Sequence, residues 1–140
     1  MGKILAICTS PRRGTVKTAV PSAVLTPEWG IVGDAHGGNW HRQVSMLSAE
    51  KIKAFRKKVW VDYGAFGENL VVEGFDFRTL PVTSRFAIGD VVLEMTQIGK
   101  ECHNDCVIKQ QTGECIMPRE GVFARVIAGG EIRVGDEATL

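Results

Sequence analysis

Hydrophobic positions along the chain come in short runs rich in valine and isoleucine, separated at close intervals by glycine, proline, asparagine and aspartate. The runs Lys3 to Cys8, Ala19 to Leu25, Gln43 to Leu47, Asn69 to Val72, Asp90 to Thr96, Val122 to Ile127 and Glu131 to Val134 read as strands. Turn signals stand between them at Pro11-Arg12-Arg13-Gly14, Gly33-Asp34, Gly37-Gly38, Gly67-Glu68-Asn69, Gly89-Asp90, Gly129-Gly130 and Gly135-Asp136. Many short strands with regular turns predict a mainly β protein, a barrel or a sandwich. One stretch departs from the pattern. Ser48-Ala49-Glu50-Lys51 places a capping hydroxyl before helix formers that continue through Ile52, Ala54 and Phe55, which predicts a single helix near the middle. The residues from Val122 to Val134 predict a closing β-hairpin around Gly129-Gly130. Gly89-Asp90 and Gly135-Asp136 read as tight turns feeding strands, because glycine supplies a positive φ and aspartate bonds its own turn.

Length and composition change this picture little. At 140 residues, 44% hydrophobic and 24% charged, the chain is expected to fold as one domain over residues 1–140. Lys plus Arg number 17 against 16 for Asp plus Glu, so no overall field recruits nucleic acid or an anionic membrane, and an anionic ligand must be met locally. No segment approaches the roughly 18 to 20 apolar residues of a membrane helix, and the apolar run after Met1 is too short for a signal peptide. A cytoplasmic location is expected.

Three stretches carry candidate chemistry. Gly30 to Ser45 gathers glycines that permit close backbone approach with His36, His41 and Arg42 as donors to an anion; a hairpin loop with a solvent-facing arginine is the other reading. Phe66-Gly67-Glu68-Asn69-Leu70 is either a plain turn into a strand or a pocket-ordering element, since a buried Glu68 or Asn69 would need hydrogen-bond partners. The third stretch holds three of the four cysteines, Cys102, Cys106 and Cys115, within fourteen residues, with Cys8 far away. In a reducing compartment such clustering points to metal binding or reactive thiols rather than to a disulfide frame. Lys100 and His103 beside Cys102 would favour its thiolate, the nucleophilic and metal-ligating form. Small buried thiols, or a zinc site of Cys102, His103, Cys106 and Cys115, are the competing readings, although the C-x3-C-x8-C spacing departs from the usual C-x2-C pairs.

Taken in order, these pieces resemble the MOSC domain, named for its place at the C-terminus of molybdenum cofactor sulfurases. The resemblance covers nearly the whole chain: Ser10-Pro11-Arg12 with Gly14 and Lys17, Gly33-Asp34-Ala35-His36-Gly37-Gly38, His41-Arg42-Gln43-Val44-Ser45, Phe66-Gly67-Glu68-Asn69-Leu70, Ile88-Gly89-Asp90, and a cysteine past the following strand. The family's cysteine falls on Cys102, thirteen positions after Gly89, with Cys106 as its rival. Lys100-Glu101 stands where many small relatives carry a proline, and the stretch from Met117 to Val126 resembles the subgroup found as small separate proteins or fused to cofactor-biosynthesis enzymes.

The resemblance implies a Greek-key, barrel-like β fold of the MOSC or pyruvate-kinase barrel kind, with one or two short helices. It implies a molybdenum-pterin cofactor, with Cys102 as the catalytic thiolate and molybdenum ligand, Lys17 and Arg42 on the cofactor's phosphate, and His36 and Asn69 orienting the pterin or a substrate. Reduction of N-hydroxylated compounds would follow, with an electron-donor protein as partner. The alternative is a non-enzymatic carrier that holds cofactor, or persulfide sulfur on Cys102, for cofactor-biosynthesis enzymes or molybdoenzymes. No PLP is expected in this chain.

Overall fold

The structure is a computed structural model that describes residues 2–12, 16–35, 37–57, 60–99 and 121–140. Its main body is a sheet in the order β11-β7-β8-β9-β5-β6-β1, closed into a seven-strand barrel by the pairing of β11 with β1. The strands are β1 (Gly2–Thr9), β5 (Val44–Ser48), β6 (Leu70–Glu73), β7 (Arg85–Ile88), β8 (Val91–Ile98), β9 (Val122–Ala128) and β11 (Glu137–Thr139). β2 (Thr18–Val20) extends the sheet beyond β1, and a small second sheet has the order β10 (Gly130–Arg133), β3 (Ser22–Thr26), β4 (Gly30–Ile31). The predicted mainly β, barrel-like class is the observed one. No helix among the described residues is long and apolar enough to cross a membrane.

Two packed clusters flank the barrel wall. Inside lie Ile4, Val44, Met46, Leu70, Val72, Phe86, Leu93, Met95, Val122 and Val126. Outside, Cys8, Leu47, Val71 and Phe123 meet Ile52 and Phe55 of the one helix, α1 (Ala49–Phe55), together with Phe66 from the loop that follows it. Strand β5 is buried at all five positions because its two faces serve the two clusters. β5 and β6 run parallel, so the connection between them must cross over, and α1 is that crossover. A bulge in β1 between Ile4 and Ala6 turns Leu5 and Ala6 together toward the outer cluster and returns Ile7 to the interior.

Three sequence expectations are corrected. The run from Ala19 to Leu25 is two strands broken at Pro21, which lacks a backbone N–H. Residues Val122 to Val134 are not a hairpin: β9 pairs with β5 and β8, whereas β10 pairs with β3 in the register Gly130↔Leu25 to Arg133↔Ser22. Gly129 is where the chain passes between sheets, so close to β3 that a Cβ would sit 2.5 Å from the Leu25 carbonyl oxygen. Ser48 occupies the N-cap position of α1, yet its hydroxyl does not cap the helix. It binds the Phe75 carbonyl at 2.9 Å and Glu50 Oε2 at 2.8 Å, and Glu50 Oε1 accepts the Gly74 N–H at 2.9 Å. The hydroxyl therefore ties the helix start to the β6 exit. Gly89-Asp90 does form the tight turn of the β7–β8 hairpin, with Ile88 opposite Val91.

Candidate functional site

At one end of the barrel three neighbouring strands bring together Arg42 and His41 from the entry to β5, Gln97 from the end of β8, and Phe123 from the start of β9. Gln97 lies opposite Phe123, and Phe123 lies opposite Ser45. Gln97 Oε1 accepts Arg42 Nε–H at 3.2 Å and is 3.0 Å from His41 Nε2. Its Nε2 donates to the Gly99 carbonyl at 2.7 Å. The Arg42 guanidinium stands 5.5 Å from the Phe123 ring centre and 5.8 Å from that of Trp40, within cation–π range. The Thr96 hydroxyl donates to the His41 carbonyl, which fixes the backbone there. Gly99 N–H bonds the Gly121 carbonyl at 2.6 Å, so residues 100–120 leave and return at one point on this rim. Cys102 is three positions beyond Gly99 in sequence. Cys102, Cys106, Cys115, Lys100, His103 and His36 all lie outside the described residues. Cys8 is within them, fully buried, and burial with the nearby Glu68 carboxyl pushes its thiol up to about 12, so it is an inert protonated thiol.

Behind this rim Asn69, fully buried, joins three strands. Its Nδ2 donates to the Cys8 carbonyl at 3.0 Å, and its Oδ1 accepts the Ser45 N–H at 2.9 Å and lies 3.1 Å from the Ser45 hydroxyl. Those contacts commit the side chain to the barrel wall. Glu68, also without exposed surface, turns back on its own loop and accepts the Gly64 N–H at 2.8 Å and the Phe66 N–H at 3.0 Å. Burial raises its carboxyl to about 7, against the lowering pull of those N–H groups and of Lys17. A folded-state value above the ordinary carboxylate range means that the folded chain holds an extra proton between about pH 4.5 and 7. Glu68 is therefore expected to support stability fully below about pH 4.5 and to lose that support as pH rises through 7, by up to about 3 kcal/mol. Urea unfolding at pH 5 and pH 8 should show this decline in the wild type and a flatter profile in Glu68→Gln; parallel profiles would contradict the assignment.

Lys17 and Asp34, distant in sequence, form a second buried group. Lys17 Nζ is 2.7 Å from Asp34 Oδ1 and 3.2 Å from the Ser10 hydroxyl, and neither charged side chain has exposed surface. Asp34 Oδ1 also accepts the Ser10 N–H at 3.1 Å, and the Ser10 hydroxyl donates to the Arg12 carbonyl at 2.9 Å. Burial lowers the lysine's proton affinity while Asp34 raises it. The chain just before β2 is pinned to the Glu68 loop where Lys17 N–H bonds the Gly64 carbonyl at 2.8 Å. Gly64 has φ +95°, and a Cβ there would fall 2.2 Å from the Lys17 carbonyl oxygen, so only glycine suits the position.

Of the residues singled out in the sequence, then, Arg42 stands on the rim beside the root of the cysteine segment, whereas Lys17 and Asn69 are held in interior networks. Sequence reasoning missed Gln97, Trp40 and Phe123 as partners of Arg42. The signal available for Gln97 was a second polar residue directly after Thr96, next to the end of the strand at Ile98.

Residues 33–139 match the MOSC domain. This chain belongs to the MOSC domain family. Its fold is shared with the YuaD protein of Bacillus subtilis, at 18% identity and TM-score 0.77, over 99% of this chain and 94% of that one. It is shared also with YiiM of Geobacillus stearothermophilus (18%, 0.76, 100% and 75%) and YiiM of Escherichia coli (18%, 0.71, 99% and 69%). No curated protein matches. MOSC domains are often associated with the molybdenum cofactor, and the rim residues fit the anionic part of such a group. With Nε on Gln97, the Nη groups of the half-buried Arg42 bond no described residue, which leaves a fork of donors suited to a phosphate or carboxylate. Among the described residues no cluster of three or more His, Cys, Asp or Glu is arranged to hold a metal ion.

Proposed function

We propose that this MOSC domain binds a molybdenum-pterin cofactor on the rim formed by Arg42, His41, Gln97 and Phe123, with Cys102 as the protein thiolate for the metal. The supporting observation is the coincidence at one rim of an oriented, half-buried guanidinium with Gly99, after which the cysteine segment begins. Arg42 holds the anionic group through its Nη donors, and the Trp40 and Phe123 rings keep the guanidinium in place. The phosphate falls to Arg42 rather than Lys17, because the Lys17 ammonium is already paired with Asp34 and has no exposed surface. Asn69 acts indirectly, by tying β5, which Arg42 leads into, to β1. A soft thiolate suits a thiophilic metal. When bound, the cofactor would supply oxygen-atom transfer, as in reduction of an N-hydroxylated compound; the chain would supply position, charge and a thiolate. Such a reaction takes electrons from a donor protein, whereas a carrier would deliver cofactor or persulfide sulfur to a molybdoenzyme.

In a host that makes the pterin cofactor, Arg42→Ala is expected to retain roughly 10- to 100-fold less molybdenum on dilution than the wild type, the worth of a charge-assisted fork of about 1.5–3 kcal/mol. Cys102→Ser is expected to lose nearly all of it. Both variants should keep the wild-type circular dichroism, and undiminished molybdenum in both would overturn the proposal. Turnover of a hydroxylamine or amidoxime by loaded protein with an electron donor separates the reductase from the carrier.

A further inference from the structure

We infer that Gln97 is the positioning residue of this rim, holding Arg42, His41 and the root of the 100–120 segment through one side-chain amide; the inference rests on the cofactor site proposed above. An amide has one acceptor oxygen and one NH2 donor. The oxygen receives Arg42 Nε–H at 3.2 Å and faces His41 Nε2 at 3.0 Å, while the nitrogen donates to Gly99 O at 2.7 Å. Both ends agree on this orientation: exchanging O and N would set the NH2 against the Arg42 N–H and the oxygen against the Gly99 carbonyl.

Two chemical consequences follow. The Arg42 Nε–H is consumed, so the guanidinium is aimed and only its Nη edge meets a ligand. Because Oε1 can only accept, a neutral His41 must be the Nε2–H tautomer, and its Nδ1 is left as an acceptor that bonds no described residue. His41 borders a cavity of about 510 Å³ with Trp40, Thr96 and Thr83. The rim therefore offers donors at the Arg42 Nη edge and an acceptor at His41, both set by the one Gln97 amide. Exchanging Gln97 for an apolar residue releases both groups at once, which makes it a specificity-determining position that touches no ligand itself.

The test reads the His41 ring directly. Long-range proton–nitrogen spectra of 15N-labelled protein, recorded well above the ordinary histidine pKa and assigned with His41→Gln, should show His41 as Nε2–H in the wild type. Gln97→Leu is expected to give a mixture of tautomers, Gln97→Ser the same, and Gln97→Glu, which keeps the acceptor, should restore Nε2–H. Molybdenum content should fall about tenfold in Gln97→Leu and stay low in Gln97→Glu, which keeps the acceptor for His41 but loses the donor to the Gly99 carbonyl and sets a negative charge beside Arg42. An unchanged tautomer in both Gln97→Leu and Gln97→Ser overturns the inference. A tautomer that responds as described in a wild type holding no molybdenum supports Gln97 as the positioning residue and overturns the cofactor reading instead.

Discussion

Lys17→Met is expected to lower the unfolding free energy by roughly 3 kcal/mol, because it breaks a fully buried ion pair of 2.7 Å by removing one partner. The Ser10 N–H, which also bonds Asp34 Oδ1 at 3.1 Å, is a neutral donor and a weaker partner than the ammonium. The expected signature is coupling. Lys17→Met combined with Asp34→Leu should be less destabilised than the sum of the single variants by more than about 1 kcal/mol, since the two side chains are in direct contact and each single change breaks the same pair. Urea unfolding of the four proteins measures this. A single-variant loss below about 1 kcal/mol with no coupling would mean that the pair is solvated and that Lys17 is available to an external anion.

Asn69→Leu, nearly equal in size, should cost about 3 kcal/mol or more. It strands the Cys8 carbonyl and the Ser45 N–H in the outer cluster, and each unsatisfied buried group costs about 1–3 kcal/mol. If Asn69 held the cofactor directly, the same variant would lose molybdenum while unfolding at the wild-type urea concentration. The hydrogen bonds to β1 and β5 lead us to expect the reverse, a lower unfolding midpoint, with cofactor lost only in proportion to the fraction unfolded.

Much of the barrel was legible because its strands are buried on one or both faces and interrupted by strong turns. β1, β5, β6, β8 and β9 each carry enough apolar residues to stand out, and Gly89-Asp90 announced its hairpin. β4 and β11, with two and three residues, are too short to show any period, and β7 reads only as Arg85-Phe86-Ala87-Ile88. The Gly129-Gly130 pair misled because glycine serves a sharp turn and a close crossing equally well, and only the proximity of Leu25 decides between them. The site was legible in its residue types and not in its partnerships. Glu68 and Asn69 next to an apolar run showed that any burial would demand partners, but Ser45 and Cys8 lie 24 and 61 residues from Asn69. Lys17 and Asp34 look like ordinary surface charges until the fold closes around them. Arg42 was visible as a cation in a glycine-rich stretch, while its orienting partner Gln97, 55 residues away, becomes evident only when β5, β9 and β8 lie side by side.

The rim reading stands or falls on what the intact chain carries. Native mass spectrometry with metal analysis, on protein purified without chelator from a host that makes the pterin cofactor, should find molybdenum and the cofactor's mass in near-equal amounts with the chain, and both should be absent from Cys102→Ser. Stoichiometric zinc with no molybdenum and no added pterin mass would contradict it.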